Sequence, residues 1–281
     1  MKVVRTSADI RAALMAPRRA GSVVGLVPTM GALHEGHLSL IRSARRSVDV
    51  VVVSIFVNPL QFGLGEDLAG YPRTEERDLE RAEEEKADLV FLPSVQEMYP
   101  KGATTRVTAG SLGMVLEGAS RPGHFDGVCT VVAKLFNLVE PDVAFFGQKD
   151  AQQLAVIKQM VLDLSYRVRL EVCPTVRESD GVALSSRNAY LSSDERAQAP
   201  VLYRALQAGA RVIAGGGDAL AAEGGIAEVV ASSGVELDYG RVVRPFDFEP
   251  WDGGPALLVI AARVGTTRLI DNLLVDLVDE R

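Results

Sequence analysis

Apolar residues fall along this chain in two alternating patterns. Residues 23–27, 50–57, 88–92, 143–146 and 168–172 are compact runs rich in β-branched and aromatic side chains, as expected of strands buried on both faces. Between them, 38–44, 73–86, 128–139 and 151–164 place apolar residues at three- and four-residue spacing, which predicts helices with one apolar stripe. Parallel strands need a crossover, usually helical, so this alternation predicts a parallel sheet covered on both faces. The pattern changes near Asp194. Helical spacing runs through Gln207, the turn Gly215-Gly216-Gly217 interrupts it, and a second helical stretch reaches Val230. Three strand-like runs follow, 237–243, 256–264 and 267–274, close enough to pair as antiparallel neighbours. The predicted fold is therefore α/β: a Rossmann-like, doubly wound parallel sheet over residues 1–180, then a smaller C-terminal α+β lid domain over 181–281, with the boundary lying between Arg177 and Asp194.

Composition narrows the possible partners. With 281 residues, 47% hydrophobic and 24% charged, the chain can bury a sizeable core. A formal net charge of −7 and the lack of a lysine or arginine stripe argue against nucleic acid as a partner. Cys129 and Cys173 stand far apart in apolar surroundings with no C-x-x-C spacing, which predicts two buried, reduced thiols. The opening residues carry no signal-peptide core, and no apolar run approaches the ~20 residues of a membrane span, so the expectation is a cytoplasmic protein without a membrane partner.

The chain has only three histidines, and two lie in Pro28-Thr29-Met30-Gly31-Ala32-Leu33-His34-Glu35-Gly36-His37. This run joins a predicted strand to a predicted helix. In an open parallel sheet, ligands bind at that end of the strands, and the N–H groups of a helix start favour phosphate. Gly36 permits close approach, and two imidazoles can donate hydrogen bonds to the charge that develops when a phosphorus centre is attacked. The alternatives are a metal pair or two ordinary surface histidines. Helix-borne zinc histidines usually stand four apart in H-E-x-x-H and need further ligands, whereas the spacing here is three; no metal ligands are assigned.

Four other stretches bear chemistry. Gly147-Gln148-Lys149-Asp150 follows the strand ending at Phe146, where lysine can meet a phosphate and aspartate a ribose hydroxyl, or where charges simply begin a helix. Leu184-Ser185-Ser186-Arg187 packs two hydroxyls and a guanidinium into three positions, a set suited to phosphate oxygens. Ser192-Ser193-Asp194-Glu195 reads instead as a capping box. Asn58-Pro59-Leu60-Gln61-Phe62 offers two amides beside an aromatic ring, suited to a small polar organic substrate. The third histidine, His124, sits in a glycine-rich loop that fits either substrate contact or a turn. The glycine triplet at 215–217 lacks the Walker lysine and hydroxyl and is read as a turn.

Taken in order, these stretches resemble the pantoate–β-alanine ligases, a family within the wider His-x-Gly-His nucleotidyltransferases. The resemblance rests on Pro28 to His37, Asn58 to Phe62, Tyr71-Pro72-Arg73-Thr74, Arg121-Pro122-Gly123-His124-Phe125, Phe145 to Asp150 and Ser185-Ser186-Arg187-Asn188. It implies formation of a pantoyl adenylate from ATP and (R)-pantoate, attack on it by β-alanine, magnesium accompanying ATP, and a homodimer. By the same matching, Met30, Gly31, Ala32, Leu33, His34, Glu35, Gly36 and His37 bind ATP, together with Gly147, Gln148, Lys149, Asp150, Val176, Leu184, Ser185, Ser186 and Arg187. His37 is the implied catalytic histidine; His34, Lys149 and Arg187 join it in steadying charge, and Gln61 and Gln153 hold pantoate. Arg77 stands where some relatives carry an acid, and Gln148 where many carry glutamate. Competing readings are another nucleotidyltransferase and a non-catalytic nucleotide-binding module.

Overall fold

The computed structural model describes residues 1–63 and 68–276. The chain divides into two compact units: Met1–Gly147 with Val156–Pro174, and Gln148–Ala155 with Thr175–Arg281.

The first unit holds six strands, β1 (Lys2–Val4), β2 (Val24–Thr29), β3 (Val50–Ile55), β4 (Leu89–Phe91), β5 (Val143–Gly147) and β6 (Arg169–Cys173). All pair in parallel, in the order β1-β4-β3-β2-β5-β6. The connecting helices are α1 (Ser7–Arg19), α2 (Glu35–Ser47), α3 (Glu75–Glu84), the single turns α4 (Val95–Met98) and α5 (Glu117–Ser120), and α6 (His124–Val139). The division between the units falls within α7 (Ala151–Asp163). Helix α2 lays Leu40, Ile41 and Ala44 against Val27, Val51, Val53 and Phe145 of the central strands. From β2 the chain winds one way through β3 and β4 and later the other way through β5 and β6. The order therefore reverses between β2 and β5, and Thr29 and Gly147, at their carboxyl ends, border the crevice where such sheets bind ligands.

In the second unit, β7 (Glu236–Val243), β8 (Ala256–Val264) and β9 (Thr267–Val275) form an antiparallel sheet. Its helices are α8 (Ser193–Gln198), α9 (Val201–Ala214) and α10 (Ala219–Ala231). Leu202, Leu206 and Ile213 of α9 and Ile226 of α10 pack with Leu258 and Ile260 of β8. Pro200 precedes α9, and its missing N–H divides what the spacing predicted as one helix from 194 to 207.

The α/β sheet and the smaller antiparallel domain are both as predicted. The second unit starts at Thr175 and also takes in 148–155. The cause is tertiary, since Arg177 bridges to Ala183 and pairs with Asp271, while Asn272 binds the carbonyls of Gln148 and Lys149. Among the described residues, no helix is long and apolar enough to cross a membrane.

Candidate active site

The turn after β2 is built around two histidines that cap one helix. His34 is the extended N-cap residue of α2, and its Nδ1 accepts from the Gly36 N–H at 3.2 Å. The N–H of His34 in turn donates to Nδ1 of His37 at 3.4 Å. A ring nitrogen that accepts carries no proton, so in each neutral imidazole the proton sits on Nε2. The ring centroids are 4.1 Å apart at an interplanar angle of 37°. These histidines are therefore set to donate through Nε2.

The same turn is fastened from α3. Asp78, 1% exposed, accepts from the Ala32 N–H at 2.9 Å and the Leu33 N–H at 2.7 Å, and from the Thr74 hydroxyl at 3.2 Å. The Arg81 guanidinium donates to the Leu33 carbonyl. Gly31 (φ 85°) and Ala32 (φ 48°) both lie in the left-handed region, a conformation for which Ala32 relies on its neighbours. Sequence reading passed over Asp78 and Arg81. Their only local signal was Asp78 standing four residues after Thr74, on a helix face towards the turn. The exposed Glu35 side chain pairs with Arg42.

The Asn58–Gln61 segment forms a second cluster. Gln61, 8% exposed, donates through Nε2 to the Met30 sulfur at 3.0 Å, and its Oε1 accepts from Asn58 Nδ2 at 3.1 Å. Tyr99 donates its hydroxyl hydrogen to Asn58 Oδ1 at 2.9 Å, and burial pushes the Tyr99 pKa well up, keeping that proton in place. His124 donates through Nδ1 to the Gln61 carbonyl at 2.8 Å, and Arg121 lies 3.2 Å from its Nε2. The third histidine thus carries the opposite tautomer and supports the turn bearing Gln61. Helix α6 approaches so closely that a Cβ on Gly127 would lie 2.3 Å from the Leu60 carbonyl oxygen.

In the second unit, Lys149 lies in the single 3-10 turn Gln148–Asp150, with Nζ 3.5 Å from Asp150 Oδ1. Gln153 is half-buried in the first turn of α7. Lys149, Ser185, Arg187, Asn188, Arg268 and Asp271 are among the residues lining one cavity of ≈ 20 Å³, which brings three cations and a hydroxyl together. Ser185 Oγ accepts from the Arg187 N–H at 3.3 Å, capping the 3-10 turn Ser186–Tyr190, so its hydrogen remains for donation. Val176 and Leu184 are joined by a backbone hydrogen bond of 3.0 Å across a tight hairpin. At its tip Gly181 (φ 94°) is wedged against Tyr203, where a Cβ would lie 2.4 Å from a ring carbon. Ser192 and Glu195 form the expected capping box. Beneath the hairpin, Arg177 forks onto Asp271 at 2.6 and 3.0 Å; burial pushes the Asp271 pKa up while Arg177 opposes it.

Cys129 and Cys173 are buried and free. Among the described residues, no group of three or more His, Cys, Asp or Glu side chains is arranged to hold a metal ion.

The family model for pantoate-beta-alanine ligase matches residues 2–274. A pantothenate synthetase of Koribacter versatilis is 53% identical over 278 residues, 97% of this chain and 95% of the relative. Among solved structures, the pantothenate synthetase of Thermus thermophilus is similar with a TM-score of 0.92 at 51% identity, covering 97% of this chain and 99% of that one. The pantoate-beta-alanine ligase of Francisella tularensis, complexed with beta-gamma ATP and beta-alanine, has a TM-score of 0.82 at 34% identity, over 98% of this chain and 97% of its own.

Proposed function

The chain belongs to the pantoate-beta-alanine ligase family, and on that premise we propose how its residues carry the family's reaction. That reaction is the ATP-dependent condensation of (R)-pantoate with β-alanine to pantothenate, through a pantoyl adenylate, with release of AMP and pyrophosphate. The enzyme is an AMP-forming acid–amino-acid ligase.

In the first step a pantoate carboxylate oxygen attacks the α-phosphorus and the bond to pyrophosphate breaks. Negative charge gathers on the α-phosphate oxygens and the departing pyrophosphate, and donors fixed beforehand lower that barrier most. His37 and His34 donate through Nε2–H to this charge, while Lys149, Ser185, Ser186 and Arg187 hold phosphate oxygens. The run from Met30 to Gly36, with Gly147, Gln148, Asp150, Val176 and Leu184, completes the nucleotide contacts, Asp150 as an acceptor for a ribose hydroxyl. Gln61 and Gln153 orient pantoate. In the second step the β-alanine amine attacks the acyl carbon, expelling AMP, with Gln61 near the incoming amine. Magnesium arrives with ATP and adds positive charge at the phosphates; no protein ligand to it is assigned.

The single observation that carries this reading is the pair of Nδ1-accepting histidines in the turn that follows a central strand. The enzyme acts on small molecules as a cytoplasmic homodimer; two buried free thiols fit a reducing compartment. His37→Ala is expected to slow pantothenate formation on the order of 10²-fold or more, the effect of removing a charge-stabilising donor. Unchanged turnover would refute the role given to His37.

A further inference from the structure

Lys149 sits on a three-residue turn, Gln148–Asp150, that follows β5 and leads into α7. A lysine ammonium is a point charge on a flexible stem, so the placement of its backbone decides where that charge can reach. The backbone is held from β9. Asn272, 4% exposed, uses both hydrogens of its amide: Nδ2 donates to the Gln148 carbonyl at 2.9 Å and to the Lys149 carbonyl at 2.8 Å. Its Oδ1 accepts from Gln148 Nε2 at 3.4 Å.

Asn272 is itself anchored. Its N–H donates to Asp271 Oδ1 at 2.8 Å, and its carbonyl accepts from Arg177 at 3.1 Å. Arg177 forks onto Asp271, donates to the Gly181 carbonyl at 3.0 Å and lies 4.0 Å above the Tyr203 ring. The ion pair thus joins two segments in one register: the turn of Lys149, through Asn272, and the hairpin that leads into Ser185–Arg187, through Gly181 and the Arg177–Ala183 bridge.

We propose that Asn272 is the positioning residue for Lys149 and that the Arg177–Asp271 pair is its anchor. The inference rests on the phosphate-holding role given to Lys149. An amide that binds two successive carbonyls permits one orientation of the turn. Asn272→Asp keeps the shape and loses both donors, setting a carboxylate against two carbonyl oxygens.

The test compares Asn272→Asp, Lys149→Ala and the double variant in pantoate-dependent exchange of labelled pyrophosphate into ATP, with a thermal midpoint for each. Asn272→Asp is expected to lower kcat by about 10- to 100-fold, as displacement of a catalytic group by an ångström does, with the KM for pantoate changed less than about twofold. In the Lys149→Ala background it is expected to add less than about a twofold loss, because the two act as one unit. An equal fold-loss in both backgrounds would mean a merely structural role and overturn the proposal. So would full activity of Asn272→Asp beside an impaired Lys149→Ala. Full exchange by Lys149→Ala would overturn the role of Lys149 and this one with it. Should Asn272→Asp not fold, Asn272→Ser, which retains a single donor, is expected to show an intermediate loss with the same dependence on Lys149.

Discussion

Asp78 is a buried carboxylate that accepts two adjacent backbone N–H groups and a hydroxyl, and so fixes a strained turn that Gly31 and Ala32 enter with positive φ. Asp78→Asn would turn an amide donor against one of those N–H groups. Loss of a charged hydrogen bond inside the protein costs about 1.5–3 kcal/mol, so thermal unfolding should occur at lower temperature and turnover should fall with it. A variant with wild-type melting and wild-type kcat would dismiss the clamp. At Cys129, burial pushes the thiol pKa up to about 12, with Asp126 adding to the rise. The raised value means that the reactive thiolate is scarce at pH 8. Alkylation of the native protein, followed by mass spectrometry, should leave Cys129 unlabelled until denaturant is added; rapid native labelling would contradict its burial.

At the scale of elements, the contact between α6 and the Pro59–Gln61 turn allows no side chain at Gly127. Gly127→Ala should push the turn away, loosen the bonds of Asn58 and His124 and raise the KM for pantoate by roughly 10-fold, with a smaller change in the KM for ATP. Equal changes in both constants would argue that Gln61 has no particular part in binding pantoate. Legibility in the sequence also varies by element. Buried runs such as Val51–Val53 announced central strands through composition alone, whereas β1 has two exposed residues in three and offered no apolar run to read. The histidine pair could be read because strand, turn and helix adjoin in the sequence. His124 could not be assigned, because its partner, the Gln61 carbonyl, lies 63 positions away. Likewise the Ser185 hydroxyl was read as a ligand contact alone, and it also caps its own turn.

For the whole molecule, the apolar pattern revealed the parallel sheet and the smaller antiparallel one, but not the ties between distant segments. The second unit takes in Gln148–Ala155 because Asn272 binds carbonyls 124 and 123 positions earlier, and no local spacing encodes a tie of that length. The residues assigned to the nucleotide are the histidine turn, Lys149 and Ser185–Arg187. The central claim is that they serve one adenylation, and the most direct test is to incubate the protein with ATP, magnesium and labelled pyrophosphate, without β-alanine, and measure label entering ATP. Exchange that requires (R)-pantoate is the predicted result; exchange indifferent to pantoate, or none from folded protein, would contradict it.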